Sequence, residues 1–291
     1  MASLLENIKL GITSILKMGK TLNSMQQLLI HKELTRLREG ERYKSPKSLV
    51  RYGDKIYSQN DEDGIINEIF TRIGTTNNTF VEFGIGDGLE NNTLALLFGD
   101  WNGLWIEASP KSVKAIEKHF HEIISGGRLK IVESFITKDN INALISENIS
   151  DDEVDLLSID IDGNDYHVLN AIECISPRVI VAEYNSKFTP PSVYCMDYDE
   201  NHIWQGDDCG GASLKFLESK LSAKGYCLVG CNITGVNAFF VREDLVKDNF
   251  LEPFTAENHY EPGRYYLGGY SSGHLASYST LAKSLTMRSG K

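Results

Sequence analysis

Residues 80–93 read FVEFGIGDGLENNT. Four residues of strand character come first, then glycines at 84, 86 and 88, then a run of small polar side chains. Glycine has no Cβ, so such a junction lets a ligand approach the backbone closely. A dinucleotide fingerprint needs glycines at relative positions 1, 3 and 6. Here Gly84 and Gly86 fill the first two, but Leu89 stands at the last, and the third glycine falls at 88. No Gly-Lys-Ser/Thr follows, so a phosphate-binding P-loop fits worse. Glu82 precedes the loop, and its carboxylate repels a pyrophosphate while favouring an ammonium or a sulfonium. S-adenosylmethionine carries both cations and no phosphate.

Working outward, short apolar runs alternate with helical patterns. Strands are predicted at Phe80–Phe83, Gly103–Glu107, Leu129–Ser134, Val154–Asp160 and Arg178–Glu183. Helices are predicted at Lys111–Ile124, Asn140–Ile149, Tyr166–Cys174 and Ala212–Ala223. This βαβ rhythm predicts an α/β fold with a mostly parallel sheet and helices on both faces. GYCLVGCNITGVNAFFVR (225–242) then reads as two strands around a turn near Thr234-Gly235. An antiparallel hairpin closing a parallel sheet suits the seven-stranded Rossmann-like fold of class I methyltransferases. Glu107 ends the second strand, where an acidic side chain accepts hydrogen bonds from ribose hydroxyls. Glu133 and Ser134 end the third, within reach of an adenine edge. Polar groups thus gather at the C-terminal strand ends, where open α/β sheets bind ligands.

The 291 residues divide into a helical extension over 1–45, the sheet domain over 46–245, and a Gly/Tyr-rich extension over 246–291 read as loops and as a cover for the acceptor. In the first, apolar residues at 4, 5, 8, 12, 15, 16, 22, 25, 28 and 29 predict one or two amphipathic helices, interrupted by Gly11 and Gly19. Such helices pack on the core or a second subunit, giving a homo-oligomer, or contact a membrane surface. A net charge of −11 argues against a nucleic-acid partner. No run of about 18 apolar residues predicts a membrane span. Glu6, Lys9 and Lys17 interrupt any signal-peptide core, and the five cysteines lack metal or disulfide spacing, so a cytoplasmic protein with free thiols is expected.

YSQNDEDGIINEIF (57–70), the glycine loop, GLWIEASP (103–110), LLSIDIDGNDYHVL (156–169) and IVAEYN (180–185) together resemble the FkbM-type S-adenosylmethionine-dependent methyltransferases. The resemblance runs from about residue 57 to 242. It implies O-methylation of a sugar or other metabolite hydroxyl, in capsule or lipopolysaccharide biosynthesis. On the cofactor side it implies Gln59, Asp63, Glu82, Gly84, Gly86, Asp87, Asn92, Thr93, Glu107, Ala108, Glu133, Ser134 and Asp160.

Strand alternation carries Asp160 and Asp162 to one side of the fourth strand, and Glu183 and Asn185 to one side of the fifth. Adjacent strands lie about 5 Å apart, so four oxygen ligands converge on one point, as a hard divalent cation (Mg²⁺, Mn²⁺ or Ca²⁺) requires. The pattern is similar to the catechol O-methyltransferase type, although this chain spells its second element Glu-Tyr-Asn. Many FkbM-type members carry glutamate where Asp162 stands. The alternative is that Asp160 meets the methionine amine while Asp162 and Asp165 cap the next helix. Asp160, His167 and His202 are the candidate catalytic residues. Tyr194, Trp204 and Arg264 are candidates for acceptor binding, the last for the diphosphate of a nucleotide-sugar. Two further function classes stand against this one: an NAD-binding sugar-modifying enzyme and a non-catalytic methyltransferase-like subunit.

Overall fold

The computed structural model describes residues 2–271 and 273–289. In chain order the elements are α1 (Ala2–Arg38), α2 (Glu62–Ile73), β1 (Thr79–Phe83), β2 (Asn102–Glu107), α3 (Pro110–His119), α4 (His121–Ser125), β3 (Leu129–Glu133), α5 (Ile141–Ser146) and β4 (Glu153–Ile159). There follow α6 (Asp165–Ala171), β5 (Ser176–Glu183), α7 (Leu214–Ser222), β6 (Tyr226–Cys231), β7 (Asn237–Arg242), α8 (Glu243–Val246), α9 (Ala256–His259) and α10 (Tyr278–Ser289). The seven strands form one sheet in the order β3-β2-β1-β4-β5-β7-β6. All neighbours run parallel except β7, which is antiparallel to both β5 and β6. This is the Rossmann-like methyltransferase sheet expected from the sequence.

Side chains alternate across the sheet, so each strand feeds two cores. Val81, Phe83 and Leu104 face α5, α6 and α7 through Ile145, Leu169 and Leu217. Phe80, Trp105 and Leu156 face the other way, onto Ile69 of α2, Ile116 of α3 and Leu281 of α10. The order reverses between β1 and β4, which opens a crevice at their C-terminal ends.

Three elements differ from expectation. The helix expected over 111–124 breaks at Phe120, whose buried ring packs edge-on against Trp105. Where the sequence predicts no element, the chain after the glycine loop makes a 3-10 turn at Leu94–Phe98, with Asn92 and Thr93 drawn down onto Glu82. The fourth strand stops at Ile159, one residue before Asp160. The tail is not all loop: α10 buries Leu281 and Leu285, one turn apart, against the sheet's helices. At the other end α1 is a single helix that passes through both of its glycines. No helix among the described residues is long and apolar enough to cross a membrane.

Candidate functional site

The glycine loop leaves β1 with Gly84, Gly86 and Gly88 all at positive φ (72°, 56° and 73°), a region that L side chains rarely occupy. A Cβ at Gly84 would sit 1.6 Å from the Asp160 carbonyl oxygen, so the ends of β1 and β4 touch there. Around Gly86 a Cβ would meet nothing within 4 Å, which leaves its backbone open. The half-buried Glu107, at the end of β2, accepts the Gly86 N–H through Oε2 at 2.9 Å and the Ser109 N–H through Oε1 at 2.8 Å. One carboxylate therefore sets the loops after β1 and β2 relative to each other. Its remaining lone pairs suit two vicinal hydroxyls. Ser134 donates its N–H to the Glu107 carbonyl at 3.0 Å and brings the third strand end alongside. Next to it Phe135 is 47% exposed, a free ring where a nucleobase face could lie. Glu133 and Ala108 are exposed beside this crevice, as is Asp87, whose side chain caps the Leu89 N–H.

Several residues expected on the cofactor side are instead absorbed by the scaffold. Glu82 shares its sheet face with Phe80 and is buried. Its oxygens accept from the Asn92 and Thr93 N–H groups and from the Thr93 hydroxyl. Burial pushes its pKa up to about 7, against these hydrogen bonds, which pull it down. Asn92 donates to Ser158 and Thr93 accepts from the Trp105 indole. Asp63 spends Oδ2 on three backbone N–H groups, those of Ile56, Tyr57 and Ser58. Beside it the buried Glu62 accepts from Asn60, Asn232 and Asn237, clamping α2 to the β6–β7 turn. The SQNDEDG stretch is thus a knot of buried carboxylates, with only Gln59 and Asn60 reaching the cavity described next.

That cavity, of about 730 Å³, opens beyond the ends of β4 and β5. Its floor is Asp160, Asp162 and Glu183; its walls come from the long loop after β5 (Trp204, Asp207) and from the tail (Tyr265, Gly268). Asp160, Asp165 and Glu183 present carboxylate oxygens within 4.8 Å of one another. Burial, then the Asp165 and Asp162 charges, push Asp160 up to about 8. Burial and the charge of Asp160, with which it shares a hydrogen bond, push Glu183 well above the usual carboxylate range. Both carboxyls are therefore pushed towards the protonated form, and their hydrogen bond couples the two titrations.

This trio differs from the four ligands expected. Asp162 lies past the strand end with φ 57°, so alternation no longer governs it. Asn185 donates its amide N–H₂ to the Asp208 and Gly210 carbonyls and accepts the Lys187 N–H at Oδ1, which fastens the loop instead. Asp165 does cap its own turn, accepting from the Ile161 and Gly163 N–H groups.

Neither histidine lines the cavity. His167 Nε2 lies 2.8 Å from the Met196 carbonyl, tying the loop to α6, and His202 Nε2 lies 3.0 Å from the Asp162 carbonyl, tying it to the turn after β4. Trp204 does line it, with its N–H donated to the Asp207 carbonyl. Tyr194 turns away, stacks on Phe188 and donates its hydroxyl to the Cys209 carbonyl. Arg264 is paired through Nη1 with the buried Glu261, while its neighbour Tyr265 takes the place at the wall. Lys187, which no motif singled out, is the one lysine or arginine on the lining; Asp208 neutralises it at 2.7 Å.

No family model and no curated protein matches this sequence. Among solved structures, the methyltransferase domain of METTL16 aligns at 12% identity over 61% of this chain and 64% of its own, with a TM-score of 0.40. The N-terminal domain of EvdMO1 with S-adenosylhomocysteine bound aligns at 13% identity over 72% of this chain and 94% of its own (TM-score 0.40). An S-adenosylmethionine-dependent methyltransferase from Clostridium acetobutylicum aligns at 13% identity over 65% and 93% (TM-score 0.39). The fold assignment rests on the strand order and register given above.

Proposed function

We propose that this protein is an S-adenosylmethionine-dependent O-methyltransferase whose acceptor is an uncharged, hydroxyl-rich molecule of the sugar class. The observation that carries the reading is the contact between Gly84 and Asp160. It joins an open glycine loop with a ribose-type carboxylate, Glu107, to a carboxylate-floored cavity. S-adenosylmethionine, bound along Gly84–Gly88 and Glu107, supplies the methyl group. The chain's own task is to orient an acceptor hydroxyl in the cavity and to take its proton. Asp160 suits that task, because a carboxyl pushed up to about 8 is matched to accepting a proton near neutrality, and Glu183 stands hydrogen-bonded beside it. Asp160 and Glu183 would lose their protons more readily with a sulfonium held beside them, since an opposite charge favours the carboxylate form.

The cavity's charge narrows the acceptor. Its lining carries five carboxylates, at positions 160, 162, 183, 207 and 208, and one neutralised lysine. A diphosphate entering there meets repulsion without a free cation to offset it. With Arg264 held by Glu261, a free glycoside fits better than a nucleotide-sugar. The surface-glycan setting rests on the family resemblance alone.

The close carboxylate trio supports a second reading, in which Asp160, Asp165 and Glu183 hold a divalent cation through hard oxygen donors. Labelled S-adenosylmethionine with parallel panels of free glycosides and nucleotide-sugars tests the first reading, before and after treatment with a strong chelator. Methyl gain on glycosides that survives chelation is the expected result. Loss of activity, restored by Mg²⁺ or Mn²⁺, selects the cation. Methylation of nucleotide-sugars alone removes the neutral acceptor. Calorimetric binding of NAD in place of S-adenosylhomocysteine removes the whole reading.

A further inference from the structure

The most exposed apolar surface of the molecule is not at the cavity. It lies on α1. From about Gln26 onward this helix is held to the body: Ile30 and Leu34 are buried with Tyr43 and Leu267, and Gln27 donates to the Gly269 carbonyl. Before that point the described side chains carry Ile8, Ile12, Ile15 and Leu22 at 50%, 54%, 67% and 60% exposure, and Leu29 beyond them is 64% exposed. Helices in proteins draw most of their stability from packing an apolar face, so the projecting part needs a partner to cover its own.

The spacing names the partner. Positions 8, 12, 15, 19, 22, 26 and 29 alternate steps of four and three, a strict 3.5-residue period. Five of these seven are Ile or Leu, with Gly19 and Gln26 at the others. A stripe of that period stays in line only when helices supercoil around each other, whereas a helix lying on a flat surface follows 3.6. Leu16, Met18 and Met25 flank the stripe and widen it. The helix carries six Lys or Arg against two Glu over residues 2–38, so the 3.5-residue period, not charge, is what sets this seam apart from a membrane-facing stripe.

We infer that α1 joins this chain to a second copy of itself through a coiled coil along Ile8, Ile12, Ile15, Leu22 and Leu29. Each body hangs from the C-terminal end of its helix. Two control positions sharpen the test, since Leu10 and Leu28 are also exposed (62% and 53%) but lie outside the stripe.

Sedimentation equilibrium on the full chain should give a dimer. The double variant Ile12→Lys/Ile15→Lys should be monomeric, with the body's thermal transition unchanged. Leu10→Lys/Leu28→Lys should remain dimeric. A monomeric parent chain overturns the inference. Equal disruption by both double variants overturns the heptad seam. Co-sedimentation of a monomeric parent with vesicles of neutral or anionic phospholipid assigns the surface to lipid and overturns it as well.

Discussion

At the scale of single residues the candidate site is a matter of how carboxylates are employed. The half-exposed place of Glu107 at a strand end was legible in the sequence, because an acid at the end of a second strand has few structural duties. The burial of Glu82 was not, since a strand-end acid reads alike whether it faces a ligand or the core. Its period-two partnership with Phe80 is the cue that points inward. Glu107→Ala should weaken S-adenosylhomocysteine binding by about 1–3 kcal/mol, the cost of leaving polar partners unpaired. Glu107→Gln, which keeps one acceptor oxygen, should fall between; unchanged affinity in calorimetry would take Glu107 out of the site. The Asp160–Glu183 pair makes a second, pH-dependent prediction. Asp160 titrates at about 8 in the folded protein, against about 4 in an unfolded chain. Between those values the folded state holds more protons than the unfolded one. Stability from this group is therefore full below about pH 4 and is lost as pH rises towards 8. Thermal melts of Asp160→Asn from pH 5 to 9 should decline less steeply than those of the parent. Turnover should fall far more than cofactor affinity. A slope identical to the parent's would show that burial does not raise the Asp160 pKa.

At the scale of elements, the sheet was readable because apolar runs and turn residues are local signals. Five strands and the hairpin fall within two residues of where the sequence placed them. What failed was long-range. Phe120 breaks a helix because its ring is wanted under Trp105, and Asp162 leaves the strand side because β4 ends early. Helix α10 escaped notice because two leucines one turn apart make too short a period to register. The loop after β1 offers a matched test of backbone approach. Gly84 and Gly86 both have positive φ, but only Gly84 abuts another strand end. Gly86→Ala should carry conformational strain of roughly 1–2 kcal/mol. Gly84→Ala adds a Cβ inside contact distance of the Asp160 carbonyl, so it should cost clearly more and abolish S-adenosylhomocysteine binding. Urea denaturation of the two variants compares them directly. Equal losses would mean that the ends of β1 and β4 move apart freely.

At the scale of the whole molecule, one buried side chain ties both extensions to the sheet domain, beside the apolar contacts of α1 and α10. Glu261 accepts both from the Tyr43 hydroxyl (2.8 and 2.7 Å) and from Arg264 Nη1 (2.8 Å), with Arg42 at 3.4 Å. Its own carbonyl accepts the hydroxyl of Tyr184, the residue after Glu183. Burial and the Glu261 charge push Tyr43 up to about 12, so its phenol remains a donor throughout the working range. The segment after α1, the end of β5 and the cavity wall at Tyr265 thus meet at a carboxylate 1% exposed. No sequence pattern announces it, because its partners lie 218, 77 and 3 positions away. Removing one member of a buried charge pair leaves the other uncompensated and costs about 3–5 kcal/mol. Glu261→Ala should therefore lower the unfolding free energy by that amount and loosen the Tyr265–Gly268 wall. Glu261→Gln retains hydrogen-bonding oxygen and volume but not charge, and should recover part of the loss. If Glu261→Ala is as stable as the parent in denaturant titrations, the extensions are held elsewhere. If it is destabilised while the acceptor KM stays fixed, the wall is rigid without its anchor.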